Sequence, residues 1–542
     1  MMPLPRLPFA FPPRGAVLIA FCALYLLSGL VGHDPWKNED AMHFGVAFSI
    51  VDGGNWLLPR LAGEPWLYSP PLYYWVAAVL TKAFGLVLPL HDAARLASGL
   101  FVGIMLYCLA GAARRLIGLE AARGATLVAI GTLGILVHAH ETQPATAMLA
   151  AAAALYYGLA LLPQHPVRGG ALAGSALGLG FLAQGLPALL ALAPALMLLP
   201  LVSSHLRTPQ AARGMLAALA IAAPLILSWP LALYWRDPAA LGLWWSQEMA
   251  DLRLQANWPM APWEYLKILS WFAWPALPLA LWTLWKERRR LREPRILIPL
   301  FSFFVLLGVQ SAFSEPRSLN VLPLLPPLVL LAAPATLSLR RGAANAFDWF
   351  GMMTFTLLAG LIWLGWVAMV AGVPPRIANN FARLEPGFVA HFSTPAFAVS
   401  LGLTFAWLWL IFKSPRAPQR GATHWAAGVL LCWGLLVALW TPWIDHGRSY
   451  RAVFSNLKAA LPTVDSCVGG RGLGNTQRAA LHYFAGIALQ REGGRAAAQC
   501  SLYLSQGTAQ SEVLPPGTGW RKIWEGHRPS DRNERFRLYA RK

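Results

Sequence analysis

About thirteen stretches of some 20 mostly apolar residues recur along this 542-residue chain, and no other feature limits its folds so strongly. Wound as a helix, one such stretch covers the ~30 Å hydrocarbon core of a bilayer. Inside that core the backbone must satisfy its own hydrogen bonds, which leaves helices as the spanning element for runs of this length. The runs lie near 15–32, 94–113, 122–139, 145–162, 169–183, 187–203, 214–234, 264–285, 295–313, 319–338, 350–372, 395–412 and 424–442. The expected fold is a polytopic α-helical membrane protein of about 13 transmembrane helices. Composition agrees, with 56% apolar and 13% charged residues against about 45–50% and 25% in soluble domains. A soluble globular domain and a disordered chain are both excluded, and the 25 Trp suit interfacial belts. Arg6 and Arg14 flank the first run and no A-x-A site follows it, so it reads as an anchor.

The net charge of +20 is explained by topology, without a nucleic-acid partner. With the N-terminus inside, short cytoplasmic segments hold 19 Lys and Arg, short outside segments 10, and the tail after about Asp445 holds 15. The Lys286–Arg295 cluster reads as part of this positive-inside signal, placed where anionic lipid headgroups could meet it. This count treats Pro70–Leu88 as a helix lying along the interface, which Tyr73, Tyr74, Trp75 and Lys82 suit. Asp and Glu run the other way, with 4 inside, 14 outside and 6 in the tail. Orientation does not require that asymmetry, so the outside face is where chemistry or ion binding is expected.

An odd number of spans leaves the tail outside. The expected domains are therefore 1–445, a transmembrane catalytic unit with a first outside loop over 33–93, and 446–542, a small α/β domain. In the tail, Val453, Phe454, Leu457 and Leu461 fall on one helical face. Val464–Val468, Cys500–Leu504 and Arg535–Ala540 read as strands and Asn475–Ile487 as a helix. A strand-helix-strand order sets Cys467 and Cys500 on neighbouring strands about 4.8 Å apart, within disulfide reach. Register could instead leave two buried thiols. Cys22, Cys108 and Cys432 lie in apolar runs, and no cysteine spacing suggests zinc.

The first outside loop is dense with functional groups. It reads His33-Asp34-Pro35-Trp36-Lys37-Asn38-Glu39-Asp40, then Gly54-Asn55-Trp56-Leu57-Leu58-Pro59-Arg60, Gly63-Glu64-Pro65, and Pro70-Pro71-Leu72-Tyr73-Tyr74-Trp75. Downstream stand Arg114-Arg115-Leu116-Ile117-Gly118, Ala183-Gln184-Gly185 and Ser314–Pro327, SEPRSLNVLPLLPP. Together these resemble the GT-C superfamily of polyprenyl-phosphate-sugar glycosyltransferases, nearest the branch of the aminoarabinose-lipid A transferases and protein mannosyltransferases. That family carries an acidic pair after the first span, G-D-W-x-x-P-[RH], G-x-x-[YF]-x-[ED]-K-P-P, L-Y-Y-W, T-K-G and S-x-x-[KR]-x-x-Y-L-L-P-L-L-P-P. Here the acidic pair is inverted as Glu39-Asp40, Tyr68-Ser69 replaces the acid-Lys, Gln184 the Lys of T-K-G, and Asn320 the Tyr.

The resemblance implies a GT-C fold in the bacterial inner membrane. Its activity would be inverting transfer of a sugar (4-amino-4-deoxy-L-arabinose or a related pentose) from undecaprenyl phosphate to lipid A at the periplasmic face. Another surface glycan or a protein is the alternative acceptor. Such transfer needs an acid to position or deprotonate the acceptor and cations to stabilise the leaving phosphate. Glu39 or Asp40 is the candidate acid, with Glu39 aligned to the family aspartate. Arg60, Arg317, Arg253 and Lys267 are the candidate phosphate ligands. Glu141, Glu64 and Tyr74 are further candidates, and a divalent metal stays open. His138-Ala139-His140-Glu141 has a metal-like composition, but i, i+2 spacing does not put both His on one helical face. Gly470–Gly474 lacks dinucleotide-loop spacing and reads as a turn. A lipid or solute transporter is the rival class; it would place charges near the midplane and show repeats, whereas the acids here cluster in outside loops.

Overall fold

The computed structural model describes residues 14–36, 38–252, 261–462, 467–492, 499–531 and 533–541. Every one of the thirteen apolar runs is helical. Seven described helices are long and apolar enough to cross a membrane unaided: Leu90–Leu116, Pro209–Arg236, Pro294–Phe313, Ser318–Ser338, Arg341–Ala371, Thr394–Lys413 and Arg420–Arg448. Two more runs are bent pairs: Leu119–Gly131 with Leu133–Ala139 at 65°, and Ala261–Phe272 with Ala276–Lys286 at 107°. Shorter apolar helices follow the runs at Gly15–Leu27, Ala145–Leu161 and Leu186–Val202. The chain is a multi-pass membrane protein.

Close helix packing comes from small residues at spacing four, the usual solution where lipid supplies no hydrophobic drive between helices. Along Pro166–Gln184, a Cβ on Gly170, Gly174 or Gly178 would meet Gly214, Ala218 or Leu225 of Pro209–Arg236 at 1.9–2.4 Å. Those glycines let the two helix backbones touch.

The first loop folds as helix Glu39–Val51, a two-residue hairpin (Arg60–Leu61 with Glu64–Pro65), and helix Leu72–Phe84. The last is about 20 Å long, too short to span. Its Tyr73, Tyr74, Ala77 and Ala78 are fully buried, while Val79 and Phe84 stay exposed. Lys82 sits 5.2 Å from the Trp56 ring.

After Arg451–Ala459 the tail forms a five-stranded mixed sheet. Its spatial order is Gln490–Arg491, Val468–Arg471, Leu502–Thr508, Glu534–Arg541 and Trp520–Gly526. The first three strands are parallel and the last two antiparallel to their neighbours. Of the Val464–Val468 expectation, 464–466 lie outside the described residues, and the strand runs Val468–Arg471. The helix is Asn475–Ala485, closed by Gly486 at φ 75°. It crosses first to the short Gln490–Arg491 strand, which the sequence reading lacked together with Trp520–Gly526. Cys467 and Cys500 are joined by a disulfide with Cα atoms 4.9 Å apart.

Helix Asn475–Ala485 docks on Glu39–Val51. Gly45 and Ala479 meet without room for a Cβ on the glycine, and Thr476 Oγ1 donates to Asn38 O at 3.0 Å. Asp34 accepts hydrogen bonds from Ser449 Oγ and the Arg451 guanidinium.

Candidate active site

Glu39 and Asp40 begin the same helix yet point to different environments. Asp40 is fully buried. The Arg95 guanidinium lies 3.2 Å away, and the N–H groups of Thr142 and Trp36 donate to Asp40 at 2.7 and 3.1 Å. Burial alone would raise its carboxyl; Arg95, His33 and the Thr142 N–H outweigh it and hold Asp40 well below the usual carboxylate range. Arg95 also binds Asp92 at 2.9 Å and the carbonyls of Leu30, His33 and Asp34. Asp40 is thus the centre of a buried network that fixes the loop to helix Leu90–Leu116.

Glu39 instead lines a cavity of about 470 Å³ with a mixed polar and apolar wall, Met42, Pro187, Leu319 and Pro323 supplying apolar surface. Its floor and walls come from five parts of the chain. The first loop gives Glu39, His43, Trp66, Tyr68 and Ser69, and the start of Ala145–Leu161 gives Gln143 and Pro144. The break at Gln184 and the 310–323 segment supply Gln184, Gln310, Ser314 and Asn320. Asn475 of the tail domain closes the wall. Carboxamides, hydroxyls and aromatic faces suit a polyhydroxylated ligand, which both donates and accepts hydrogen bonds. Glu39 Oε2 lies 3.0 Å from His43 Nε2. That hydrogen bond, working against partial burial, keeps the Glu39 carboxyl below its ordinary range, with smaller help from His138 and Arg317.

The other candidates divide. Tyr74 is buried behind the wall, its Oη 2.8 Å from His43 Nδ1 and 3.2 Å from Ser69 Oγ. Arg317 is largely exposed and ion-paired with Glu315, close enough for its charge to act on Glu39. Arg60 is not among the lining residues; its guanidinium donates to Gly63 O of its own hairpin at 3.1 Å. Lys267 is also away from the cavity, paired with Glu264 at 2.7 Å. Glu64 bridges to the tail domain through Arg478 at 2.9 Å and Arg491 at 3.1 Å. Glu141 pairs with His138 at 3.4 Å. Arg253 lies outside the described residues. Among the described residues no three His, Cys, Asp or Glu converge as metal ligands: His43 turns to Glu39 and His138 to Glu141.

Sequence reasoning missed His43, Arg95 and Asn475. Arg95 carried a signal, since Asp92 and Arg95 are charges one turn apart at the start of an apolar helix, and such charges are costly unless used. His43 stands one turn after Glu39, the spacing at which helix side chains meet. Nothing local marked Asn475, which reaches the cavity only through the docking of the tail.

The whole arrangement has close parallels. ArnT from Cupriavidus metallidurans bound to undecaprenyl phosphate superposes with a TM-score of 0.66 at 18% identity, covering 97% of both chains. Its apo state gives 0.68, with the same coverage. The model of the Dolichyl-phosphate-mannose-protein mannosyltransferase family matches residues 68–229. The chain shares the GT-C fold of these structures. Curated proteins similar to this chain include the undecaprenyl phosphate-alpha-4-amino-4-deoxy-L-arabinose arabinosyl transferase 1 of Pseudomonas fluorescens (strain Pf0-1). It is 26% identical over 78% of this chain and 72% of the relative. The corresponding transferase of Aeromonas salmonicida (strain A449) is 26% identical over 79% and 76%. In the GT-C fold of this protein, the cavity beside Glu39 is where the first loop, the 310–323 segment and the tail domain converge.

Proposed function

We propose that this glycosyltransferase moves a sugar from an undecaprenyl-phosphate carrier to lipid A at the periplasmic face of the bacterial inner membrane. The sugar is 4-amino-4-deoxy-L-arabinose or a related pentose. The observation that carries the reading is Glu39: a carboxylate on the wall of the cavity, hydrogen-bonded to His43. The names of the curated relatives supply the carrier and the sugar, and the positive-inside count supplies the orientation. In the reaction an acceptor oxygen forms a bond to the anomeric carbon as the bond from that carbon to the phosphate oxygen breaks, with inversion. Glu39 accepts the hydrogen bond of the acceptor, aligns it and takes its proton as the new bond forms, and it stabilises positive charge developing on the sugar ring. The electron pair leaves with the lipid phosphate, for which Arg317 is the near cation and Arg60, Arg253 and Lys267 are the remaining candidates of the sequence reading.

Glu39→Gln is expected to abolish most transfer while leaving expression and folding intact, a loss of about 10²–10⁴-fold for a group acting on the reacting proton. Mass spectrometry of lipid A from cells carrying wild type, Glu39→Gln or no gene reads it out. A sugar-sized mass present only with wild type supports the proposal. Unchanged lipid A beside an altered surface glycan or protein moves the acceptor, and full activity of Glu39→Gln removes Glu39 from the mechanism.

A further inference from the structure

Behind the cavity wall, four side chains form one hydrogen-bonded line: Ser69, Tyr74, His43 and Glu39. Tyr74 is fully buried and His43 nearly so; their rings are tilted to each other, and both meet Trp66 edge to face. The order of donors follows from chemistry. Glu39, ionised, only accepts, so the His43 nitrogen facing it, Nε2, carries a hydrogen and donates. A neutral imidazole then has Nδ1 as acceptor, and the Tyr74 hydroxyl, which burial pushes up out of its titration range, donates to it. Ser69 donates to the Tyr74 oxygen. Every donor in the line points toward Glu39, and bonds in such a line polarise one another.

We propose that His43 is a positioning residue for the glycosyl transfer: held in one tautomer by Tyr74, it delivers a single N–H that orients the Glu39 carboxylate toward the cavity and keeps it charged. The inference rests on Glu39 being the acid of the reaction. His43 cannot itself take the proton of an acceptor, because both its ring nitrogens are engaged. The charged and titratable groups acting on Glu39 besides His43 are His138 from the Leu133–Ala139 helix and Arg317 from the 310–323 segment. Only His43 is hydrogen-bonded to it among the described residues.

The test uses full-length protein in proteoliposomes, with undecaprenyl phosphate-linked 4-amino-4-deoxy-L-arabinose as donor probe and lipid A as acceptor. The rate is followed from pH 4.5 to 8. His43→Phe keeps the ring shape and loses the N–H; kcat is expected to fall at least about tenfold with KM within about threefold. Without the donor Glu39 protonates more easily, so the acid limb of the pH profile moves upward by about one unit. His43→Gln offers an N–H to Glu39 and a carbonyl to Tyr74, and is expected to restore both the rate and the acid limb. Tyr74→Phe, which frees the tautomer, is expected to lie between. Wild-type rate and pH profile in His43→Phe would overturn the proposal. So would equal losses in His43→Phe and His43→Gln with an unmoved acid limb, which would make His43 a packing residue. A fully active Glu39→Gln control would instead bring down the underlying reading, so the two failures are distinguishable.

Discussion

Arg95 has no exposed surface, and its guanidinium is spent on Asp40, Asp92 and three backbone carbonyls. A buried ion pair adds little over a well-packed apolar pair, but removing one partner strands the other, at a cost of about 3–5 kcal/mol. Arg95→Met is therefore expected to leave Asp40 and Asp92 unpaired and to lower stability by that order. Thermal unfolding in detergent, followed by tryptophan fluorescence, measures it. Arg95→Met paired with Asp40→Asn should recover part of the loss, and unchanged melting of the single variant would show that the network carries no stability. The adjacent residues Glu39 and Asp40 could not be told apart in the sequence. Their separation into a cavity acid and a buried anchor depends on Thr142 and Arg95, which are distant in the chain.

At the scale of the element, hydropathy located thirteen runs that are all helical among the described residues, because long apolar stretches leave so plain a mark on composition. It did not locate the sharp bends, because an average over a window does not register where a helix stops and restarts. The break at Gly185 (φ 69°), which falls between the runs 169–183 and 187–203, is supported from outside. Glu248, on helix Pro238–Asp251, accepts from the Leu186 N–H at 3.1 Å, capping the helix that begins there. Burial pushes the Glu248 carboxyl up to about 7. An acid raised in the folded state leaves stability fully present below the ordinary carboxyl range. That stability is lost as pH rises, because the unfolded chain ionises first. Between pH 4.5 and 7 the loss is about 3 kcal/mol. Glu248→Gln keeps an oxygen for Leu186 and has no charge to bury. Its melting temperature should fall less from pH 5 to pH 8 than that of wild type, and should exceed it at pH 8. Parallel pH slopes for the two proteins would exclude this role. Arg60 marks the opposite limit of sequence reading: its motif position suggested a phosphate ligand, and its side chain folds back onto its own hairpin.

For the whole molecule, the disulfide between Cys467 and Cys500 closes a 33-residue separation across the tail sheet, worth roughly 3–4 kcal/mol in the chain-entropy model. Such bonds persist in oxidising compartments, which agrees with a tail outside the cytoplasm. Alkylation of denatured, unreduced protein should modify Cys22, Cys108 and Cys432 alone. Labelling of all five cysteines would rule out the bond and with it this argument for the placement of the tail.

The cavity draws its acid from residue 39 and part of its wall from residue 475, and the loop between them is pinned through Trp36 to Ser449, Asp34 to Arg451 and Glu64 to Arg478. During synthesis Glu39 leaves the ribosome more than 400 residues before its neighbour Asn475. A nascent or truncated chain that stops before the tail can therefore hold its acid in place and still have no closed site. Only when the last hundred residues have settled on the first loop is the wall complete, so the two ends of the chain must both be made before the cavity exists.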